Sequence, residues 1–167
     1  ESRLSEFDGK LPEVRTFHSL GLRLAKSFTK RGALPAYRLV TEDYVLEKLA
    51  RQVAGEVFRE ENENEGWLAG EDIEEFITFI DRVKSTISTA AELFASLNLS
   101  LRYKYFIRSY ELFEEVRKKQ GIRFYADLIH EPLMAMLEDD ELLGWVSNRV
   151  EHIIVDEYQD INEAQQQ

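Results

Sequence analysis

Apolar residues recur at three- and four-residue steps along most of this chain, and that spacing predicts helices. Phe17, Leu20, Gly21, Leu24, Ala25 and Phe28 share one face of a helix expected from about His18 to Lys30. Lys26, Lys30 and Arg31 suit its negative C-terminal end, and Gly32 suits the residue beyond. Thr41 is placed to cap a second helix, with Glu42 and Asp43 in its first turn. Leu46, Leu49, Ala50, Val53, Ala54, Val57 and Phe58 form its stripe. Ile73, Phe76, Ile77, Ile80, Val83 and Ile87 mark a third helix, and Ala90 to Leu97 a short fourth. The longest is expected from about Leu99 to Lys119, with Tyr103, Phe106, Ile107, Tyr110, Phe113 and Val116 as its apolar face and Lys118, Lys119 and Gly121 at its end. A helix over about Tyr125 to Leu137 contains Pro132, which should kink or break it. Asp139 or Asp140 would cap a last helix through Val146.

Two stretches break this rhythm. Val14-Arg15-Thr16-Phe17 reads as a short strand. Ile153-Ile154-Val155, apolar and β-branched, reads as a strand buried on both faces, as in a parallel sheet. Residues 1–13, punctuated by Gly9 and Pro12, read as a loop. Residues 33–40 read as a connection bent at Pro35, and the acidic 59–70 as a loop that Trp67 could anchor. The order is therefore strand, helix, a long all-helical stretch, then strand. A parallel crossover needs only a dozen or so residues, whereas more than a hundred separate Phe17 from Ile153. A helical subdomain inserted into an α/β core accounts for this. The expected fold is mostly α, a helical insert flanked by short parallel-strand pieces of an incomplete α/β domain.

Composition narrows the class. With 44% hydrophobic and 32% charged residues the chain is globular rather than disordered. No apolar run approaches the roughly 18 residues of a membrane span. Cysteine is absent, which excludes disulfides and thiolate metal sites and fits a reducing, cytoplasmic setting. The net charge of −11 argues against a surface coated in nucleic-acid-binding charge, but the charge is polarised. Arg23 to Arg38 holds five bases and no acids, Arg102 to Arg123 seven bases and three acids, and Glu56 to Asp81 ten acids and one base. Each basic stretch could touch phosphates or be an ordinary solvated helix face.

The most specific chemistry lies in Ile153-Ile154-Val155-Asp156-Glu157-Tyr158-Gln159-Asp160. In open α/β sheets ligands bind at the carboxyl ends of strands. Paired acids there can hold Mg²⁺ through one carboxylate and polarise a water with the other, as nucleotide hydrolysis requires. The alternative is a buried strand ending in a solvated acidic turn. His130 and His152 lack metal-ligand spacing and read as structural.

This string resembles the Walker B motif, or motif II, of UvrD/Rep-type superfamily 1 helicases, down to an Asp-x-Asn-x-x-Gln tail at Asp160, Asn162 and Gln165. Thr16-Phe17-His18-Ser19 is similar to that family's Thr-Phe-His-Ser motif Ib. Gly121 to Ile129 resembles its Gly-x-x-Asp-Phe-x-Asp-Leu-Leu stretch, with Arg123 where the first Asp stands. The resemblance implies that residues 1–32 belong to a first RecA-like domain (1A), 33–120 to its helical 1B insert, and 121–167 to the return into 1A. It further implies that Asp156 holds Mg²⁺, that Glu157 is the base activating water, and that Gln159 and Asp160 couple the nucleotide site to neighbouring motifs. Thr16, Phe17, His18 and Ser19 would lie along single-stranded DNA, Thr16 and His18 touching its backbone. The implied parent is an ATP-dependent, 3′-to-5′ DNA helicase of repair or recombination. Its partners would be single-stranded or forked DNA, ATP and the other helicase domains of its own chain, with no membrane. Arg102 to Lys119 is the expected phosphate-contacting helix of the insert.

A P-loop is absent from this chain. Lys26-Ser27 and Lys84-Ser85 carry Leu20 and Ala25, then Thr78 and Val83, where the glycines of that loop must stand. The phosphate cradle is expected upstream of Glu1, and the chain alone is expected not to hydrolyse ATP. Two other readings stay open: a non-enzymatic helical module binding protein or DNA, and part of a helicase–nuclease fusion.

Overall fold

The helix predicted from His18 forms one residue earlier, as α1 (Phe17–Lys30). Thr16 is extended, and its hydroxyl accepts the Ser19 amide at 3.2 Å as an N-cap. That settles the fate of Val14 to Phe17: a Thr immediately before an apolar helical stripe satisfies an otherwise orphaned helix donor. The predicted strand is instead an exposed approach to α1, with Val14 92% exposed. Gly32, at φ +79°, turns the chain away after Arg31.

In this computed structural model, which describes residues 13–61 and 68–167, the elements run as follows. After α1 come β1 (Arg38–Leu39), α2 (Asp43–Glu61), α3 (Gly70–Lys84), α4 (Ala90–Ser96) and α5 (Tyr105–Lys119). Then follow β2 (Ile122–Arg123), α6 (Asp127–Glu138), α7 (Asp140–Ser147) and a short α8 (Glu163–Gln166). Trp67 and residues 1–12 of the expected N-terminal loop 1–13 lie outside the described residues. The predicted long helix from Leu99 is interrupted: Leu101–Tyr103 is a single 3₁₀ turn, started by the Ser100 hydroxyl accepting the Arg102 amide, and α5 begins after it. Pro132 does not break α6, which runs through it.

The fold class is the expected one, mostly helical with a parallel-strand fragment, but the strands are not those predicted. β1 and β2 pair in parallel, Arg38 opposite Ile122 and Leu39 opposite Arg123. The Arg38 amide donates to Gly121 O and the Val40 amide to Arg123 O, both at 2.8 Å. Ile153 to Val155 has no regular structure, and Ile153 and Ile154 are 73% and 96% exposed. A buried strand of the parallel kind needs a neighbouring strand and cover on both faces, and the described residues supply neither to residues 153–155.

One apolar cluster runs through α2, α3, α4 and α5 and includes Val53, Val57, Ile73, Phe76, Phe79, Phe106 and Phe113. Phe106 packs against Phe76 and Phe79 with ring centroids 5.2 and 5.6 Å apart. Ala25, Phe28, Leu128, Leu133 and Leu142 are buried outside that cluster, where α1 and α7 meet α6. The C-terminal α8 is tied back by the Ala164 amide, which donates to Ser85 O at 3.0 Å.

Candidate functional site

Segments far apart in sequence line one cleft of about 370 Å³, among them the start of α2 and the end of α3. His18 comes from the first turn of α1. Phe124, Tyr125 and Asp127 come from the β2–α6 junction, and Asn162 and Gln165 from the start of α8. His18 stacks on Tyr125, ring centroids 3.9 Å apart at 16°. Burial holds the His18 imidazole below its ordinary pKa, so at neutral pH it offers one N–H and one lone pair rather than a charge. Asn162 and Gln165 form a reciprocal cap: each backbone amide donates to the other's side-chain oxygen at 3.0 Å. The two segments similar to motif Ib and to the motif II tail therefore meet in one place.

The other predicted site residues stand as follows. Thr16 is committed to capping α1, and its hydroxyl proton remains available to a phosphate oxygen. Ser19 Oγ accepts from Arg15 Nη1 at 3.1 Å, and Phe17 is half-buried. Asp156, Glu157, Gln159 and Asp160 are all exposed, on a turn rather than at a strand end. Glu157 is left-handed at φ +52°. Its amide donates to Asp156 Oδ1 at 3.0 Å, and its carboxylate accepts from Gln159 Nε2. A left-handed non-glycine residue costs free energy, and here it turns adjacent carboxylates outward on a tight loop. No group of three or more metal-ligating side chains occurs among the described residues.

At the cleft wall, where Lys84 and Asp127 line it, lies a set of charges that sequence reasoning missed. Lys84 is 3% exposed, and its ammonium lies 2.7 Å from Asp127 Oδ1 and 2.5 Å from Glu114 Oε1. Arg117, fully buried, reaches Glu114 at 2.7 Å, Glu131 at 2.8 Å, Asp127 at 3.3 Å and the Ile122 carbonyl at 3.0 Å. Arg123 adds a pair to Glu131 at 2.5 Å. Asp127 also accepts the Phe124 amide at 2.8 Å, fixing the turn that enters α6. Burial pushes the Glu114 carboxyl up, but Lys84 and Arg117 outweigh it and hold the group at about 2. Three cations thus face three carboxylates, which is the balance a desolvated cluster requires. The departure at Arg123 fits this balance: its cation is met by Glu131, one turn beyond Asp127. The signal was present in the pattern. Lys84 stands one turn after Ile80 on the stripe of α3, and Arg117 one turn after Phe113 on that of α5, so both put a charge on an apolar face.

The predicted basic helix loses most of its free charge to such pairs. Besides Arg117, Arg102 pairs with Asp72 and Arg108 with Glu111 at 3.1 Å, while Lys118 lies 3.7 Å from Glu114. Lys104 and Lys119 have no acidic partner among the described residues.

The model of the UvrD/REP helicase N-terminal domain matches residues 2–167, nearly the whole chain. The chain belongs to that family. It is 26% identical over 153 residues to the ATP-dependent DNA helicase Rep of Escherichia coli, covering 91% of this chain and 21% of Rep. The Rep of Salmonella typhimurium matches to the same extent. A stretch of 53 residues is 38% identical to an ATP-dependent helicase/nuclease subunit of Natranaerobius thermophilus, covering 32% of this chain and 4% of that protein. The chain thus spans about a fifth of the length of its Rep relatives. No described helix of this UvrD/REP family chain is long and apolar enough to cross a membrane.

Proposed function

We propose that this chain is the part of an ATP-driven DNA helicase that joins the nucleotide site to the DNA path, in a motor moving 3′ to 5′ on single-stranded DNA and serving repair or recombination. The supporting observation is the shared cleft: His18, Tyr125 and Asn162, each from a separate motif-like segment, line it together. A helicase needs such adjacency, because hydrolysis at one end of the domain must change contacts at the other. Residues 1–32 and 121–167 would belong to the RecA-like domain and 33–120 to its helical insert. The exposed Ile153 and Ile154 would then be covered by strands of that domain, and the whole would work with the parent's other helicase domains inside the cytoplasm.

In this reading Thr16, Phe17, His18 and Ser19 border the DNA, with Thr16 and His18 donating to phosphates. Asp156 would hold Mg²⁺ and Glu157 would take the proton of the attacking water. Their hard, exposed oxygens suit an ion that keeps several of its own waters. Bound Mg²⁺–ATP would supply the electrophilic phosphorus and neutralise its charge. Gln159, already bonded to Glu157, and Asp160 would relay the state of that turn to the cleft through Asn162 and Gln165.

The test is Glu157→Gln in the full-length protein. Loss of a general base should lower ATP turnover by about 10²–10⁴-fold, with the melting temperature measured alongside as the control for folding. Asp156→Ala should abolish Mg²⁺-dependent turnover. Full turnover in either variant overturns the proposal. The 167-residue chain alone, having no P-loop, should release no phosphate from ATP.

A further inference from the structure

The outward face of α1 carries a row of cations that the site above does not use. Arg15, Ser19, Arg23, Lys26 and Lys30 follow one another at steps of four, four, three and four residues, which places them on one side of the helix. The opposite side, Gly21, Ala25 and Phe28, is buried. The five residues line a shallow groove of about 350 Å³. Ser19 to Lys30 spans about 16 Å along the axis, long enough for several consecutive phosphates. Lys26 and Lys30 have no acidic partner among the described residues. The row stands out on a chain of net charge −11.

One end of this groove already holds an anion. The Glu13 carboxylate receives Arg23 Nη1 at 2.5 and 2.6 Å and Arg15 Nε at 2.6 Å. Two guanidinium groups converging on one exposed carboxylate make a charge arrangement that also suits a phosphodiester, which presents two equivalent oxygens. A phosphate would compete for the same donors and bring Lys26 and Lys30 into play, which Glu13 does not reach.

We propose that this face of α1 is a track for the phosphate backbone of single-stranded nucleic acid, and that Glu13 is its built-in, displaceable counter-ion. The inference rests on the reading that the Thr16–Ser19 segment borders DNA, and it extends the path along the helix, away from the cleft. Glu13 then acts as a brake: a strand engages the track only by taking Arg15 and Arg23 from it.

The experiment measures fluorescence anisotropy of a labelled 20-nucleotide oligothymidylate with the 167-residue chain over a salt series. Circular dichroism melting serves as the control for folding. Glu13→Gln should tighten binding at least about threefold, whereas Glu138→Gln, an equal charge change at an exposed position that does not line the groove, should not. Arg23→Ala with Lys26→Ala should weaken binding about tenfold and reduce the salt slope by about 1.4, the loss of two phosphate contacts. Equal effects of Glu13→Gln and Glu138→Gln overturn the proposal, as does unchanged binding by the double variant. No binding by the unaltered chain at low salt also overturns it, and retention of polyglutamate in place of the oligonucleotide assigns the face to an acidic protein. The two readings separate through Thr16→Ala with His18→Ala. If that pair abolishes binding and the Arg23/Lys26 pair does not, the motif contact stands and the track falls; the reverse result keeps the track and removes the motif contact.

Discussion

At the residue scale, Gly21 and Pro132 solve one problem together. Pro132 has no N–H to give to Leu128 O, so that carbonyl lacks its usual partner inside α6. Gly21 faces it from α1: a Cβ built on Gly21 would lie 2.0 Å from Leu128 O. Only a residue without a side chain lets the two helices come this close, and the carbonyl is covered by Gly21 Cα rather than left against a methyl group. Gly21→Ala should therefore force α1 away from α6 and destabilise the fold by at least about 1–3 kcal/mol, even though alanine favours helix. Urea unfolding measures this, and a neutral or stabilised variant would refute it. The stripe of α1 placed Gly21 on the buried face from sequence. Nothing in the sequence said that the neighbour would be a backbone carbonyl of α6.

At the element scale, local signals located helix ends better than strands. Lys119 ends α5 where basic residues and Gly121, at φ +64°, were expected to end it. Asp139 caps α7, its carboxylate accepting the Glu141 and Leu142 amides at 2.9 and 3.0 Å. The short α4 depends on its start. Thr89 Oγ1 accepts the Glu92 amide at 3.3 Å while Glu92 accepts the Thr89 amide at 2.8 Å, a capping box. Seven residues cannot hold a helix by propensity alone, so Thr89→Ala should cost about 1 kcal/mol, visible as a lower urea midpoint. An unchanged midpoint would show that packing of Leu93 and Phe94 suffices. The strands were misread for one reason. A strand is stabilised by partners elsewhere in the chain, and a local apolar run reports hydrophobicity without reporting partners. Ile122 and Arg123 pair because Arg38 and Leu39 lie beside them, and neither segment looks like a strand by pattern.

At the scale of the whole molecule, the buried charges join α3, α5 and α6 where the larger apolar core ends. That arrangement makes stability depend on pH. Burial, and next the Lys84 charge, hold the His130 imidazole down at about 4, below its ordinary value near 6.5. The folded state therefore binds fewer protons than the unfolded chain between those values, and acidification from about pH 6.5 to 4 should remove on the order of 2–3 kcal/mol. Glu114, held at about 2, adds a second loss as pH falls from about 4.5 toward 2. Urea midpoints measured from about pH 8 to 3 should decline across both windows. His130→Gln should flatten the upper one alone, and an unflattened profile would assign the loss to other groups.

The sequence by itself determined the helical class, the faces of the helices, several of their caps and the family, because these depend on short-range spacing and on residue order in the chain. It also singled out Thr16 to Ser19 and Asp156 to Asp160 as candidates. Only the tertiary structure decided which residues share a cleft, that Lys84 and Arg117 are buried against carboxylates, and that Arg15, Arg23, Lys26 and Lys30 line one groove. The physical reason is that a charge's role depends on what lies within a few ångströms of it. Those neighbours come from segments tens of residues away, which local pattern does not bring together.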